Sequence, residues 1–390
     1  MFTLLSYRSL LTMLFASLSL CMSISLAQAK PFTVQDLAGR EITFEQTPQR
    51  VILGDSRYLN ALSVLLPQDP IANIAAMLSD LKYIDFGTYI AYRNKFPNID
   101  SIPIIGKTTA HSFSVEKAIA LGADLAIFSL DGHGPNARHG DIIAKLEKAG
   151  VRVVFIDFRK SPLANTPKSI RLLGQIFDKS SQADRFLNFY QQELDKVRTG
   201  LSAAKEKQRV FIHSRVGVLN ECCETMVRGM MADFVDQAGG ENIARSIVPG
   251  SAGVMNLEYL LTNQPDVYIA TAVGSKGMPN EAGEIVEHPY VMLGAGTPEA
   301  DARISLRKAL ERENLQHLDA AEHGRAHAIW HGFYNSPLNV AAVQRIAKWL
   351  YPELFADLDP EATLARIFTE FQAIDQTGAY WVSITNDSHD

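Results

Sequence analysis

Cysteine is scarce here: of the three in 390 residues, Cys21 falls in the amino-terminal apolar stretch and Cys222 and Cys223 are adjacent. That excludes a disulfide-stapled small scaffold and a metal site built on spaced CxxC pairs. The adjacent pair leaves three readings open: a vicinal disulfide, a bridge between two chains, or two small half-buried side chains. Positive charge is also scarce, with 37 Lys and Arg against 43 Asp and Glu and a net charge of -6. Nucleic-acid binding needs cations clustered on one face, so no nucleic-acid partner is expected. Beyond the amino terminus no run approaches the roughly 18 apolar residues of a membrane-spanning helix. Catalytic signatures are missing too: there is no Gly-x-Ser-x-Gly elbow, no phosphate-binding loop and no His-Glu-x-x-His. Gly239-Gly240 reads as a helix stop and not as a cofactor loop, so neither catalysis nor an intrinsic cofactor is expected; an unrecognised hydrolase is the reading from that class.

The amino terminus carries one charge, Arg8, then an apolar run and Ala27-Gln28-Ala29, which has the small-x-small form of a signal peptidase site. Residues 1–29 are therefore expected to be a signal peptide cleaved after Ala29, sending the rest of the chain to the periplasm. A lipoprotein signal is the lesser alternative, because Leu20 stands before Cys21 where a small residue is needed. At 47% hydrophobic and 21% charged, the remainder has the composition of a soluble globular protein with room for two domains.

One pattern occurs twice. SVEKAIALGADLAIF, residues 114–128, and NLEYLLTNQPDVYIA, residues 256–270, each set a capping residue, a glutamate and an aspartate ahead of an apolar β-type run. The spacing from Glu116 to Asp124 equals that from Glu258 to Asp266. Each copy reads as a short capped helix, its acid in the first turn where exposed N–H groups favour negative charge, leading into a strand. Around these copies, strands expected at 50–53, 71–74, 125–128, 151–156, 209–213 and 326–330 alternate with helices at 58–66, 142–149, 226–238, 333–350 and 360–371. A hairpin turning at Ala38-Gly39 precedes them. The alternation implies an α/β fold with largely parallel sheets covered on both faces. Ser181 to Ala204 interrupts the rhythm with apolar residues at Phe186, Tyr190, Leu194, Val197 and Leu201, one helical face about 36 Å long at 1.5 Å per residue.

The opening DLAGREITF with PQRVI, the paired glutamate segments, LEKAGVRVVFID, the long helix, MADFVDQAGGENIA and AKWLYPELFADLDPE together resemble the class III, helical-backbone periplasmic binding proteins of ABC importers for ferric siderophores, haem or cobalamin. The resemblance covers nearly the whole exported chain. It implies two Rossmann-like lobes, residues 30–180 and 207–390, joined by a rigid helix at 181–206, with the ligand in the cleft between them. It also implies that Glu116 and Glu258, one per lobe, dock the inner-membrane ABC permease, and that the protein works as a monomer.

In such a fold, cleft residues sit at the ends of strands and in the loops after them. That rule selects Arg57, Tyr58 and His133 in the first lobe and Arg215, Arg228, His331 and Tyr334 in the second. Arginines present forked donors to anionic oxygens, which suits an iron chelate of the catecholate type. The resemblance further makes His331 and Tyr334 candidates to ligate iron(III) directly, with the ferric siderophore as transported cargo. Molybdate or tungstate, haem and cobalamin are the alternative cargoes. A free-metal binder would draw on His317, His323, His327 and His331.

Overall fold

The computed structural model describes residues 30–218, 222–275, 277 and 290–384; the expected signal peptide lies outside them. The first lobe is organised on a four-stranded parallel sheet in the order Ile74–Met77, Val51–Leu53, Leu125–Ser129, Arg152–Ile156. Val51, Ile52, Leu53 and Leu125 to Phe128 are all fully buried, as continuous apolar strands covered on both faces must be. The hairpin Phe32–Gln35 with Glu41–Phe44 stands beside it and turns through Gly39 at φ +80.

The second lobe has a mixed sheet. Its parallel centre is Arg209–His213, Val267–Ala272 and Ala326–Trp330; antiparallel strands Glu224–Met226, Ala252–Val254 and Trp381–Ser383 extend it at the edges. The whole is an α/β protein of two lobes. The helix Ser180–Gly200 joins them and continues as a 3-10 turn, Leu201–Ala203. Its Gln182 side chain donates to Val64 O in the first lobe at 2.9 Å, while Tyr190 bonds Asn339 at 2.7 Å and Glu193 accepts from Gln344 at 2.8 Å in the second. The last helix, Pro360–Phe371, packs on the joining helix, where Phe371 stacks edge-on against Phe186, and then reaches the first lobe, where Gln372 donates to Asn60 O at 3.0 Å.

Three sequence expectations shift. The strand expected at 71–74 lies at Ile74–Met77, because Asp69 caps a turn by accepting from Ile71 N at 3.2 Å. The helix expected from 226 starts at Met230; Met226 instead pairs with Ala252, and Gly229 at φ +63 turns the chain between the two. The helix expected at 333–350 divides into a 3-10 turn, His331–Asn335, and Asn339–Leu350, since Pro337 lacks the N–H that a continuous helix requires. Helices Pro162–Ile176 and Glu299–Arg312 were not anticipated. Among the described residues no helix is long and apolar enough to cross a membrane.

Candidate functional site

The two glutamate segments fold alike. Ser114 caps Val115–Ala120 by accepting from Lys117 N at 3.2 Å, and Asn256 caps Leu257–Thr262 by accepting from Tyr259 N at 3.1 Å. Glu116 and Glu258 both lie exposed in the first turn. The second acid of each copy bonds the backbone where a neighbouring strand begins. Asp124 accepts from the backbone of Gln49 at 2.8 Å and Arg50 at 3.0 Å, and Asp266 accepts from Arg209 N at 2.7 Å. Each of these arginines then turns its guanidinium back onto a carbonyl of the same segment, Leu121 O or Gln264 O.

At the opposite, carboxyl ends of the strands the lobes face each other across a cavity of about 340 Å³. The first lobe lines it with Arg57, His133 and Arg159; the second adds Ser214, Arg215, His331 and Tyr334. The walls are stitched together across the cleft: Asn335 donates to Asp55 at 2.9 Å, Met230 N to Arg159 O at 2.8 Å, and Arg159 Nη1 to the Tyr334 hydroxyl at 3.1 Å. Gly229 belongs to this seam, where an added Cβ would sit 2.7 Å from Lys160 O.

Charge is unevenly satisfied in the cavity. Arg57 is buried and gives both arms to Asp55, Nε to Oδ1 at 2.9 Å and Nη2 to Oδ2 at 2.6 Å. Arg215, at φ +48, grips Glu224 in the same forked manner, with Nε to Oε2 at 3.1 Å. These pairs cancel. Arg159 contacts the Tyr334 hydroxyl and lies over that ring at 5.5 Å, yet has no carboxylate partner among the described residues. It therefore leaves a net positive charge on the wall.

His331 and Tyr334 stand side by side, ring centroids 4.8 Å apart and edge to face, with His331 Nδ1 2.9 Å from Thr271 Oγ1. Burial, then Arg215 and Arg57, hold the His331 pKa well below its ordinary value, so the imidazole is neutral with a lone pair available. His133 is held down by the same kinds of cause, desolvation and Arg57, and its Nδ1 lies 3.8 Å from the buried carboxyl group of Asp80, which burial and then Asp55 hold well above the ordinary range.

Of the seven side chains selected from sequence, Arg57, His133, Arg215, His331 and Tyr334 line this one cavity. Tyr58 does not. The 3-10 turn Ser56–Tyr58 sends it into the core, 1% exposed against Phe158, while Arg57 takes the cleft side. Arg228 lies in an adjoining hollow with Lys160 and Arg138, its guanidinium held by Gly250 O. Arg159 was not selected, although it follows the strand Arg152–Ile156 just as Arg57 follows Val51–Leu53. The four histidines of the free-metal reading separate: His317 is exposed beside Glu322, His323 bonds Asp319 O, and His327 stacks flat on Trp349.

Residues 100–291 match the family model for periplasmic binding proteins. A comparison with curated proteins found no match. Among solved structures, the TroA-like periplasmic binding protein FepB from Veillonella parvula superposes with a TM-score of 0.79 at 22% identity, covering 90% of this chain and 99% of that one. MolA of Haemophilus influenzae, bound to molybdate, gives 0.66 at 15% identity over 89% and 99% of the two chains. CeuE of Helicobacter pylori with Ni(II) bound gives 0.61 at 14% over 88% and 96%. At these identities the likeness shows a shared two-lobed fold.

Proposed function

We propose that this chain is a periplasmic binding protein whose interlobe cavity captures an anionic iron(III) chelate, a ferric siderophore, for delivery to an ABC importer. The observation that carries this reading is the unneutralised Arg159 beside the His331–Tyr334 pair. A cationic wall selects a negatively charged ligand. A phenol and a neutral imidazole at one point on that wall supply the hard and borderline donors that iron(III) accepts. Glu116 and Glu258 serve as the contacts to permease arginines, one from each lobe, on segments of matching construction.

The cavity volume supports a second reading. At about 340 Å³ it lies near the small end of ligand pockets, roughly 300 to 1,000 Å³. A compact oxyanion such as molybdate, the ligand of MolA, would be held by the same arginines without metal ligation by protein. Titration of the purified protein with ferric catecholates, molybdate, haem and cobalamin, followed by intrinsic fluorescence, separates the two. We expect stoichiometric binding of a ferric chelate without turnover. Molybdate binding with failure of every ferric chelate would give the site to the oxyanion.

A further inference from the structure

A second group of metal-ligating side chains lies outside the cleft lining. A ring nitrogen of His213 and the sulfurs of Cys222 and Cys223 all fall within 4.8 Å of one another. His213 ends the strand Arg209–His213 and is 3% exposed; Cys223 is buried and Cys222 half-buried. The sulfurs are joined as a disulfide. His213 Nδ1 is 2.8 Å from the Tyr268 hydroxyl, and Nε2 faces Glu313 Oε2 at 3.5 Å. That carboxylate oxygen is buried and makes no hydrogen bond among the described residues.

We propose that His213, Cys222 and Cys223 form a redox-gated site for a soft or borderline metal ion, closed while the sulfurs are joined and opened by a dithiol reductant. The exchange balances: the reductant's two thiols become its own disulfide, the Cys222–Cys223 bond takes up two electrons and two protons, and both residues become thiols. Metal binding then releases those two protons to solvent, because thiolates are the ligands. Two thiolates and an imidazole favour ions of the zinc and cadmium type over hard cations. The surroundings suit that ligand set. With the proton on Nδ1 and donated to Tyr268, Nε2 keeps its lone pair, the outer-shell arrangement that orients metal-bound imidazoles. Glu313 offers a carboxylate beside that nitrogen.

The test uses purified protein reduced with dithiothreitol, freed of it by anaerobic gel filtration and titrated with Cd²⁺ alone. The reduced protein should bind one Cd²⁺ per chain with a sulfur-to-cadmium charge-transfer band, and the oxidised protein should show neither. Replacing both cysteines by serine should abolish the band, and His213→Gln should weaken binding at least about tenfold. Should His213→Gln fail to fold, X-ray absorption of the cadmium-loaded parent decides: two sulfurs and a nitrogen support the site. A reduced parent without the band, or a cadmium shell lacking nitrogen, overturns it.

Discussion

Arg159 in the first lobe donates from Nη1 to the Tyr334 hydroxyl in the second at 3.1 Å, so the cavity's unneutralised cation is also a cross-lobe tie. Replacing it separates ligand charge from folding. Arg159→Gln should weaken binding of an anionic chelate by about 1.5 to 3 kcal/mol, the range for a hydrogen bond to a charged group. Stability of the unliganded protein should change by less than about 1 kcal/mol, since no carboxylate is left unpaired. Calorimetric titration beside urea denaturation checks both; unaltered affinity would remove Arg159 from the site.

Tyr334→Phe addresses coordination. If the phenolate touches iron, the ferric complex of the parent carries a tyrosinate-to-iron absorption band, and the variant should lose it. We expect that loss in visible spectra of the loaded protein. A spectrum identical to the parent's would place Tyr334 outside the coordination sphere and leave the charge argument standing.

The two acids of each repeated segment should behave oppositely. Asp124→Ala strips the backbone of Gln49 and Arg50 of its acceptor and should cost about 1 to 3 kcal/mol of stability. Glu116→Arg with Glu258→Arg changes only exposed first-turn charges, so stability and ligand affinity should stay within about 1 kcal/mol of the parent. Uptake in whole cells should collapse in that double variant through like-charge contact with the permease. Normal uptake would sink the docking assignment.

That division of labour shows what the sequence could reveal. The doubled glutamate-to-aspartate spacing identified two equivalent segments, because local capping and strand entry are written in neighbouring residues. The partner of each aspartate was invisible: Gln49 and Asp124 are far apart in the chain and meet only when parallel strands align. The rule that cleft residues follow strands found five lining side chains, and applied to Arg152–Ile156 it would have found Arg159. It failed at Tyr58 because consecutive residues of a 3-10 turn point to different sides, and a buried tyrosine and a cleft tyrosine read alike. Pro337 and Gly229 interrupt the helices expected across them, through a missing N–H and a positive φ that helical periodicity does not register.

The buried histidines should each withdraw stability as the medium is acidified from neutrality. Burial holds His213 and His327 down at about 3 and His331 well below its ordinary value. The unfolded chain, titrating near 6.5, then binds more protons, so each histidine's contribution is complete above about pH 6.5 and declines below it by about 1.4 kcal/mol per pH unit. Asp85 works the other way: burial raises it to about 6, so it favours the folded state as pH falls from about 6 towards 4. His133, also held at about 3, adds to the loss between pH 7 and pH 5, while Asp80, Asp233 and Glu313, raised mainly by burial, add to the opposing gain. Urea unfolding of the parent and of His327→Gln across that range isolates one histidine's share: relative to the parent, the variant should lose less stability on acidification.

The return of Gln372 to Asn60 and of Asn335 to Asp55 sets an order of assembly. These bonds join positions 312 and 280 residues apart, so the first lobe cannot complete its packing while the chain is still emerging amino terminus first. Its sheet can form early and Leu59–Leu65 can pack on Pro162–Ile176 and Ser180–Gly200, but the contact of that helix with Pro360–Phe371 waits for the end of the chain. A chain threaded through a membrane thus remains incompletely folded until nearly its last residues have crossed. Truncation before Pro360 should accordingly destabilise the lobe at the other end of the sequence.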